Sequence, residues 1–171
     1  MSILRPVKGN RRPRRCIFFD TETDQSDNDS NFTIHTLRLG IAKYAEWTPD
    51  LKTYQVIDRC LFRSPDEFWS FVSRHVRSHN TLYLIAHNIL FDLCVIHAFT
   101  RLPDNGYKFT KFYQNSNVTI FEWRQKSVKI VAIDSLNLFP VSLAELGKLI
   151  DLPKLSVDFN NCTDDELIVY C

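Results

Sequence analysis

Over the first third of the chain, apolar and polar positions alternate in a way that predicts three strands. Apolar residues dominate 15–21, alternate with polar ones over 33–47 and return over 53–62. A period of two is typical of half-buried strands, because successive side chains point to opposite faces. The polar, turn-rich residues 24–31 predict a loop between the first two strands. Three strands joined by short loops suggest an antiparallel meander.

Helical spacing of apolar residues begins in the next segment. Ser64, Pro65 and Glu67 form a capping box, in which the serine caps the first turn and the proline takes a position that needs no N–H. A compact apolar strand at 82–86 follows, and the pattern from there to residue 102 indicates a helix. This part of the chain therefore predicts a helix, a buried strand and a second helix.

The rest of the chain returns to strands and then to short helices. Apolar runs at 118–123 and 128–133 predict a hairpin with its turn at 124–127. Capping boxes at 142–145 and 163–166 each predict the start of a helix. The order of elements predicts a single α/β domain with a mixed central sheet flanked by helices, in which the acidic end of the first strand lies at a rim.

Composition narrows the class of protein. The 171 residues are 44% hydrophobic and 24% charged, which suits one globular domain. We expect an intracellular protein that does not enter membranes, because no apolar run is long enough to cross a bilayer and the N-terminus lacks the apolar core of a signal peptide. The five cysteines contain no C-x-x-C pair, which argues against a disulfide framework and against zinc.

Charge is balanced overall but not along the chain. The 21 basic residues nearly equal the 20 acidic ones, yet six basic residues fall within the first fifteen positions. The segment 1–14 is therefore either a contact for phosphates or a solvated, flexible tail. The four glycines form neither a G-x-G-x-x-G sequence nor a phosphate-binding loop, which excludes Rossmann and P-loop nucleotide binding.

Two acidic residues at the end of the first strand are the first candidates for chemistry. Asp20 and Glu22 are separated by one residue and so project from the same face of a strand. Neighbouring carboxylates at a buried strand end repel each other and lose hydration. A divalent metal that prefers oxygen ligands, Mg²⁺ or Mn²⁺, would offset that cost. An ordinary acidic turn is the other interpretation.

A second polar cluster stands where the strand at 82–86 ends and a helix begins. It comprises His87, Asn88, Phe91 and Asp92. Read alone, Asp92 is a helix-start aspartate. Because both acidic segments follow apolar strands, their carboxylates can converge at one edge of the sheet. Asp134 ends a later strand, where its position is typical of an aspartate in a turn. We therefore do not expect it to be a metal ligand.

Four motifs, taken in order, resemble a known family. They are 19–23 (FDTET), 87–92 (HNILFD), 133–140 (IDSLNLFP) and 152–157 (LPKLSV). The first two look like the first exonuclease motifs of the DEDD superfamily of 3′–5′ exonucleases. The later two more narrowly resemble the proofreading domain of protein-primed family B DNA polymerases. The likeness covers 15–171.

The resemblance implies a ribonuclease H-like fold and hydrolysis of single-stranded DNA from its 3′ end with two divalent metal ions, Mg²⁺ or Mn²⁺. It assigns the metal ions to Asp20, Glu22 and Asp92, the scissile phosphate to Lys154 and the attacking water to Tyr170. The residues that it implies in substrate binding are Thr23, His87, Asn88, Phe91, Ser135 and Leu136. Without the resemblance, His87 and Phe91 equally suit a packed core, and Lys154 a surface position. Implied partners are DNA 3′ ends and a polymerase module in the same or another chain, in the cytoplasm or at a site of DNA replication.

The family's third motif is a tyrosine followed four positions later by an aspartate, the fourth metal ligand. Tyr170 matches the tyrosine, and the sequence stops at Cys171. The domain 15–171 therefore looks truncated within this motif. We expect weak metal binding and slow or absent cleavage, rescued by downstream residues that include an aspartate. The alternatives are a non-catalytic nucleic-acid-binding module, an RNA-directed exonuclease of the same fold and, less closely, a ribonuclease H-like transposition or integration enzyme.

Overall fold

A seven-stranded mixed sheet forms the centre of the protein. The structure is a computed structural model that describes residues 12–27, 33–115, 118–149, 151, 162–163 and 165–166. The strands are β1 (Arg15–Asp27), β2 (Thr33–Thr48), β3 (Thr53–Phe62), β4 (Thr81–Ala86), β5 (Lys108–Asn115), β6 (Val118–Gln125) and β7 (Val128–Asp134). They lie in the order β3-β2-β1-β4-β7-β6-β5.

Three strands of this sheet run parallel and end at the same edge. β1, β2 and β3 form the antiparallel meander that the sequence predicts. β4 pairs in parallel with β1 and with β7, and β6 and β5 continue the sheet as antiparallel strands. The carboxyl ends of β4 and β7, and the middle of the longer β1, therefore meet at one edge, called here the carboxyl edge.

Helices lie on both faces of the sheet. α1 (Pro65–His75), α2 (Ile89–Val95) and α3 (Ala98–Asp104) pack on one face and enclose the main core. The largest fully buried side chains of the chain include Trp123, Tyr44, Phe62, Phe68 and Phe71. A short 3-10 helix (Ser135–Asn137) and α4 (Leu143–Leu149) follow β7. The predicted α/β domain with a mixed, helix-flanked sheet is confirmed.

The predicted capping boxes are also confirmed. The hydroxyl of Ser64 accepts a hydrogen bond from the N–H of Glu67 at 3.3 Å, and α1 begins at Pro65. Likewise, Ser142 caps the N–H of Glu145 at 3.2 Å, and Thr163 caps that of Glu166 at 3.3 Å. In each case the side chain satisfies an N–H that a helix start leaves without an intrahelical partner.

Two predicted boundaries are wrong. The predicted loop 24–31 is strand over its first part, because β1 continues to Asp27 with backbone pairs such as Asp24–Thr36 to β2. The predicted helix up to residue 102 is two helices, which separate where His97 adopts a left-handed φ of 54°. The polar end of β1 is held by backbone pairs with β2, and the helix breaks at a residue other than glycine. Both features depend on tertiary contacts, which a local sequence pattern does not contain.

Candidate active site

The carboxyl edge brings together residues that lie far apart in the chain. In the register of the sheet, Phe18 pairs with Ile85 and Ala86 pairs with Asp134. Asp20 and His87, each two residues beyond the first of these pairs, therefore stand side by side where β4 ends. This places the first acidic motif next to the polar segment that starts α2, as the sequence predicts.

Asp92 approaches β1 from the face that carries the helices. It lies in the first turn of α2 and is 2% exposed, and the hydroxyl of Thr21 donates a hydrogen bond to its Oδ1 at 2.6 Å. Burial raises the pKa of Asp92 to about 7, the Thr21 hydrogen bond opposes the rise, and the negative charge of Asp20 adds to it. Asp92 thus contacts Thr21, the residue that separates Asp20 from Glu22. The negative charge of Asp20 is close enough to affect the pKa of Asp92.

Asp20 lines a largely apolar cavity of about 500 Å³. His87 and Ser135 border the same cavity, and the His87 Nδ1 and the Ser135 Oγ are hydrogen-bonded at 2.9 Å. Leu143 and Leu146 of α4 also line this cavity. Two of the residues that the resemblance implies in substrate binding, His87 and Ser135, are therefore joined beside Asp20.

Glu22 lines a different cleft, of about 450 Å³, between the β1–β2 ribbon and α2. Thr23 and Phe91 border this second cleft, as does His35 of β2. The Thr23 hydroxyl and the His35 Nδ1 are hydrogen-bonded at 3.0 Å, and the His35 ring stands perpendicular to the Phe91 ring with centroids 5.3 Å apart. Half-buried Phe91 thus presents an aromatic surface next to Glu22.

Asp134 has a structural position at the same edge. Its carboxylate accepts hydrogen bonds from the backbone N–H groups of Asn88 at 3.0 Å, Ile89 at 3.1 Å and Leu136 at 2.9 Å. These bonds fix the entry into α2, where Asn88 has a left-handed φ of 69° and an exposed side chain. Leu136 therefore contributes its backbone to the frame of the site, and Asp134 is a turn acid, as its sequence context indicates.

The donor set suits a hard divalent cation in its chemistry, because Asp20, Glu22 and Asp92 offer only carboxylate oxygens. Within the described ranges, however, no three His, Cys, Asp or Glu side chains are grouped closely enough to hold a metal ion. The three carboxylates are divided, since Asp20 and Glu22 line different clefts and Asp92 is hydrogen-bonded to Thr21 between them. A cation beside Asp92 would favour its ionised form and lower its raised pKa.

The sequence did not predict every residue at this site, and two of the predicted residues lie outside the part of the chain that the structure describes. Lys154 and Tyr170 lie outside the described residues. Thr21 and His35 were not predicted from the sequence. Thr21 could have been considered, since it separates the two acids of the first motif. His35 carries no local signal, because only the pairing of β2 with β1 brings it to Thr23.

The comparisons with known proteins do not identify a relative. No family model, no curated protein and no solved structure matches the chain. In the part of the chain that the structure describes, no helix is long and apolar enough to span a membrane.

Proposed function

We propose that the chain is a 3′–5′ exonuclease of the DEDD type, which hydrolyses phosphodiester bonds at the ends of single-stranded DNA. The sheet supports this proposal, because three antiparallel strands followed by the parallel strands β4 and β7 are compatible with a ribonuclease H-like fold. In this proposal the chain acts either as a free-standing enzyme or as the proofreading domain of a family B DNA polymerase, at sites of DNA replication.

One observation carries the proposal. An aspartate from a distant segment, Asp92, reaches the single residue between Asp20 and Glu22, and burial raises its pKa, with the charge of Asp20 adding to the rise. Burying a carboxyl beside another carboxylate costs folding free energy, and a core that served only stability would not need it. Such paired acids in a cleft are typical of functional sites.

In the proposed mechanism the acidic residues would hold two divalent metal ions and the neighbouring residues the DNA end. Asp20, Glu22 and Asp92 would bind Mg²⁺ or Mn²⁺, and these ions would supply a nucleophilic water and stabilise charge on the leaving oxygen. Phe91 stacks on a terminal base, and the Thr23 hydroxyl, held by His35, contacts the same nucleotide. Asn88 and the His87–Ser135 pair bind the strand beside Asp20.

The test is cleavage of single-stranded DNA labelled at its 3′ or its 5′ end. The proposal predicts slow, Mn²⁺- or Mg²⁺-dependent release of labelled mononucleotide from the 3′-labelled strand, and stepwise shortening of the 5′-labelled one. The Asp20→Ala and Asp92→Asn variants should release none. Release from the 5′ end first, or release by both variants at the rate of the unaltered chain, would contradict the proposal. RNA of the same sequence tests the RNA-directed alternative.

A second candidate is a module of the same fold that binds nucleic acid without cutting it. The observation that favours it is the absence, among the residues described, of a three-residue metal group at the carboxyl edge. This candidate predicts that single-stranded DNA binds equally well to the unaltered chain and to Asp92→Asn, and that neither divalent ion yields mononucleotides. Metal-dependent release would exclude it.

A further inference from the structure

A β-bulge sorts the side chains of the edge strand β5 into two chemically different rows. The sequence repeats a Lys-Phe pair three residues apart, at 108–109 and 111–112. A regular strand would place the members of each type on opposite faces, since three is an odd number of residues. Here the ladder shifts between Phe109 and Lys111, so that Lys108 and Lys111 pair with Arg124 and Glu122.

The bulge therefore aligns both phenylalanines on the other face. Phe109 lies opposite Trp123 and Phe112 opposite Phe121. The Thr110 hydroxyl at the bulge donates hydrogen bonds to the backbone oxygen of Glu122 at 3.2 Å and to its carboxylate at 3.0 Å. The bulge is thus fixed by contacts of its own.

The phenylalanine row is an exposed aromatic layer over a buried one. Phe109 and Phe112 are 49% and 53% exposed, whereas Trp123 and Phe121 beneath them are fully or almost fully buried. The ring of Phe112 stacks on that of Phe121 with centroids 5.1 Å apart, and Phe109 lies 5.3 Å from Trp123. The outer faces of two rings are therefore presented to solvent on a firm aromatic support, spaced along the strand by about 7 Å.

The lysine row belongs to a cationic face. Lys108 and Lys111 are exposed and lie beside Arg124, and Lys129 of β7 follows in the next strand. Glu122 of β6 lies on the same face, and its carboxylate already forms salt bridges with Arg124 at 2.7 Å and Lys129 at 3.6 Å. Four cations thus face one carboxylate, and this excess of positive charge is complementary to a polyanion.

We propose that β5 is a binding strand for single-stranded nucleic acid, with bases stacked on Phe109 and Phe112 and phosphates held by Lys108 and Lys111. Because β5 is the edge strand, its rings on one face and its cations on the other suit a single strand that runs along the edge with bases on one side and phosphates on the other. The choice of ligand rests on the proposed function, but the contacts use none of the carboxyl-edge residues. A protein partner would be expected to cover the rings without needing the lysine row.

The test measures binding of a 5′-fluorescein-labelled oligothymidine by anisotropy over a range of salt concentrations, with EDTA present so that nothing is cut. Lys108→Gln/Lys111→Gln should weaken binding about tenfold and reduce the salt slope by about 1.4, the value for two phosphate contacts on a single strand. The matched control, Lys52→Gln/Arg59→Gln, removes two exposed charges at the opposite end of the sheet and should leave affinity and slope unchanged. Equal loss in both variants would overturn the proposal.

A second pair of substitutions isolates stacking. Phe109→Leu/Phe112→Leu keeps an apolar cover over Trp123 and Phe121 but removes the rings, so it should weaken binding at least fivefold without altering the salt slope. Unchanged DNA affinity would overturn the proposal, and loss of a dimer by the same variant would instead identify the strand as an interface between copies. These binding measurements need no cleavage, so they test the β5 surface independently of the proposed nuclease activity. A chain that binds DNA as expected but does not cut it would contradict the proposed nuclease activity and support the β5 surface.

Discussion

Two buried aspartates at the carboxyl edge are expected to have opposite effects on stability. Asp134 and Asp92 are 6% and 2% exposed. Asp134 accepts three backbone N–H groups, which compensate for its lost hydration. The largest effect on the pKa of Asp92 is its burial, which outweighs the hydrogen bond from Thr21. Only the first of these acids is therefore expected to stabilise the folded chain at neutral pH.

We expect Asp92→Asn to stabilise the protein above pH 7. In the folded chain the pKa of Asp92 is about 7, whereas an unfolded aspartate titrates near 3.8. As pH rises between these values, unfolding releases a proton, so the group lowers stability progressively and its full cost persists above pH 7. Asparagine has no such cost. Urea unfolding should show a gain on the order of 2–4 kcal/mol at pH 8 and almost none at pH 4. An equal gain at both pH values would contradict this account of Asp92.

For Asp134→Asn we expect the opposite sign. The substitution removes the charge and replaces one acceptor oxygen by an N–H₂ group that faces the N–H of Asn88 or Ile89. The loss of charge-assisted hydrogen bonds should cost about 2–3 kcal/mol of unfolding free energy. The measurement is urea unfolding at pH 8, in which the unfolding free energy of Asp134→Asn is compared with that of Asp92→Asn and of the unaltered protein. An unchanged or raised stability would show that Asp134 does not fix the entry into α2.

At the level of elements, the close packing of β2 against β1 and β3 depends on Gly40. A Cβ at this position would stand 2.7 Å from the backbone oxygen of Asp20 and closer still to the ring of Phe62. Gly40 also pairs with Phe62 in β3. The spacing between the strands at Asp20 is therefore set by a residue that has no side chain.

Gly40→Ala should destabilise the protein by about 2–3 kcal/mol, because the buried Phe62 ring and the β1 backbone have to move apart. It should also slow any metal-dependent cleavage, since the displaced strand carries Asp20. Gly106→Ala is the control: it strains a turn with φ of 80° but meets mainly the flexible side chain of Gln125. Thermal unfolding measures the predicted loss of stability, and the cleavage assay measures the predicted loss of rate. Equal cleavage rates in the two variants would contradict the link between Gly40 and the site.

The sequence predicted those elements whose signals are local. The capping serine at Ser64, the alternating strand β2 and the strand β3 require only neighbouring residues, and all three predictions are confirmed. The extension of β1 to Asp27 depends on backbone pairs with β2, and the break at His97 depends on how α2 and α3 pack. Non-local hydrogen bonds and packing therefore override local propensity at these two places.

For the candidate site, the sequence predicted which residues approach the carboxyl edge but not how they divide there. Asp20 and Glu22 were expected together, yet they line two different clefts. The contacts of Asp92 with Thr21 and of Thr23 with His35 depend on the docking of α2 and on the β1–β2 register. Such distances are properties of the fold and have no counterpart in residue spacing.

On the scale of the whole molecule, the parallel arrangement of β1, β4 and β7 is what joins the separate motifs. The motifs at 19–23, 87–92 and 133–140 each follow or lie within one of these strands. Because β4 stands between the other two, its exit at His87 borders the same cavity as Asp20 of β1 and is hydrogen-bonded to Ser135, which follows β7. The sheet order therefore converts three local motifs into one candidate active site.

The most direct test of the central claim is thermal unfolding with and without Mn²⁺. If Asp20 and Asp92 hold divalent ions in the folded chain, saturating Mn²⁺ at about a hundred times the dissociation constant should stabilise the unaltered protein by about 2.7 kcal/mol, a rise of several degrees in Tm. Asp20→Asn and Asp92→Asn should show no rise. The same rise in all three proteins, or none in the unaltered one, would contradict the claim.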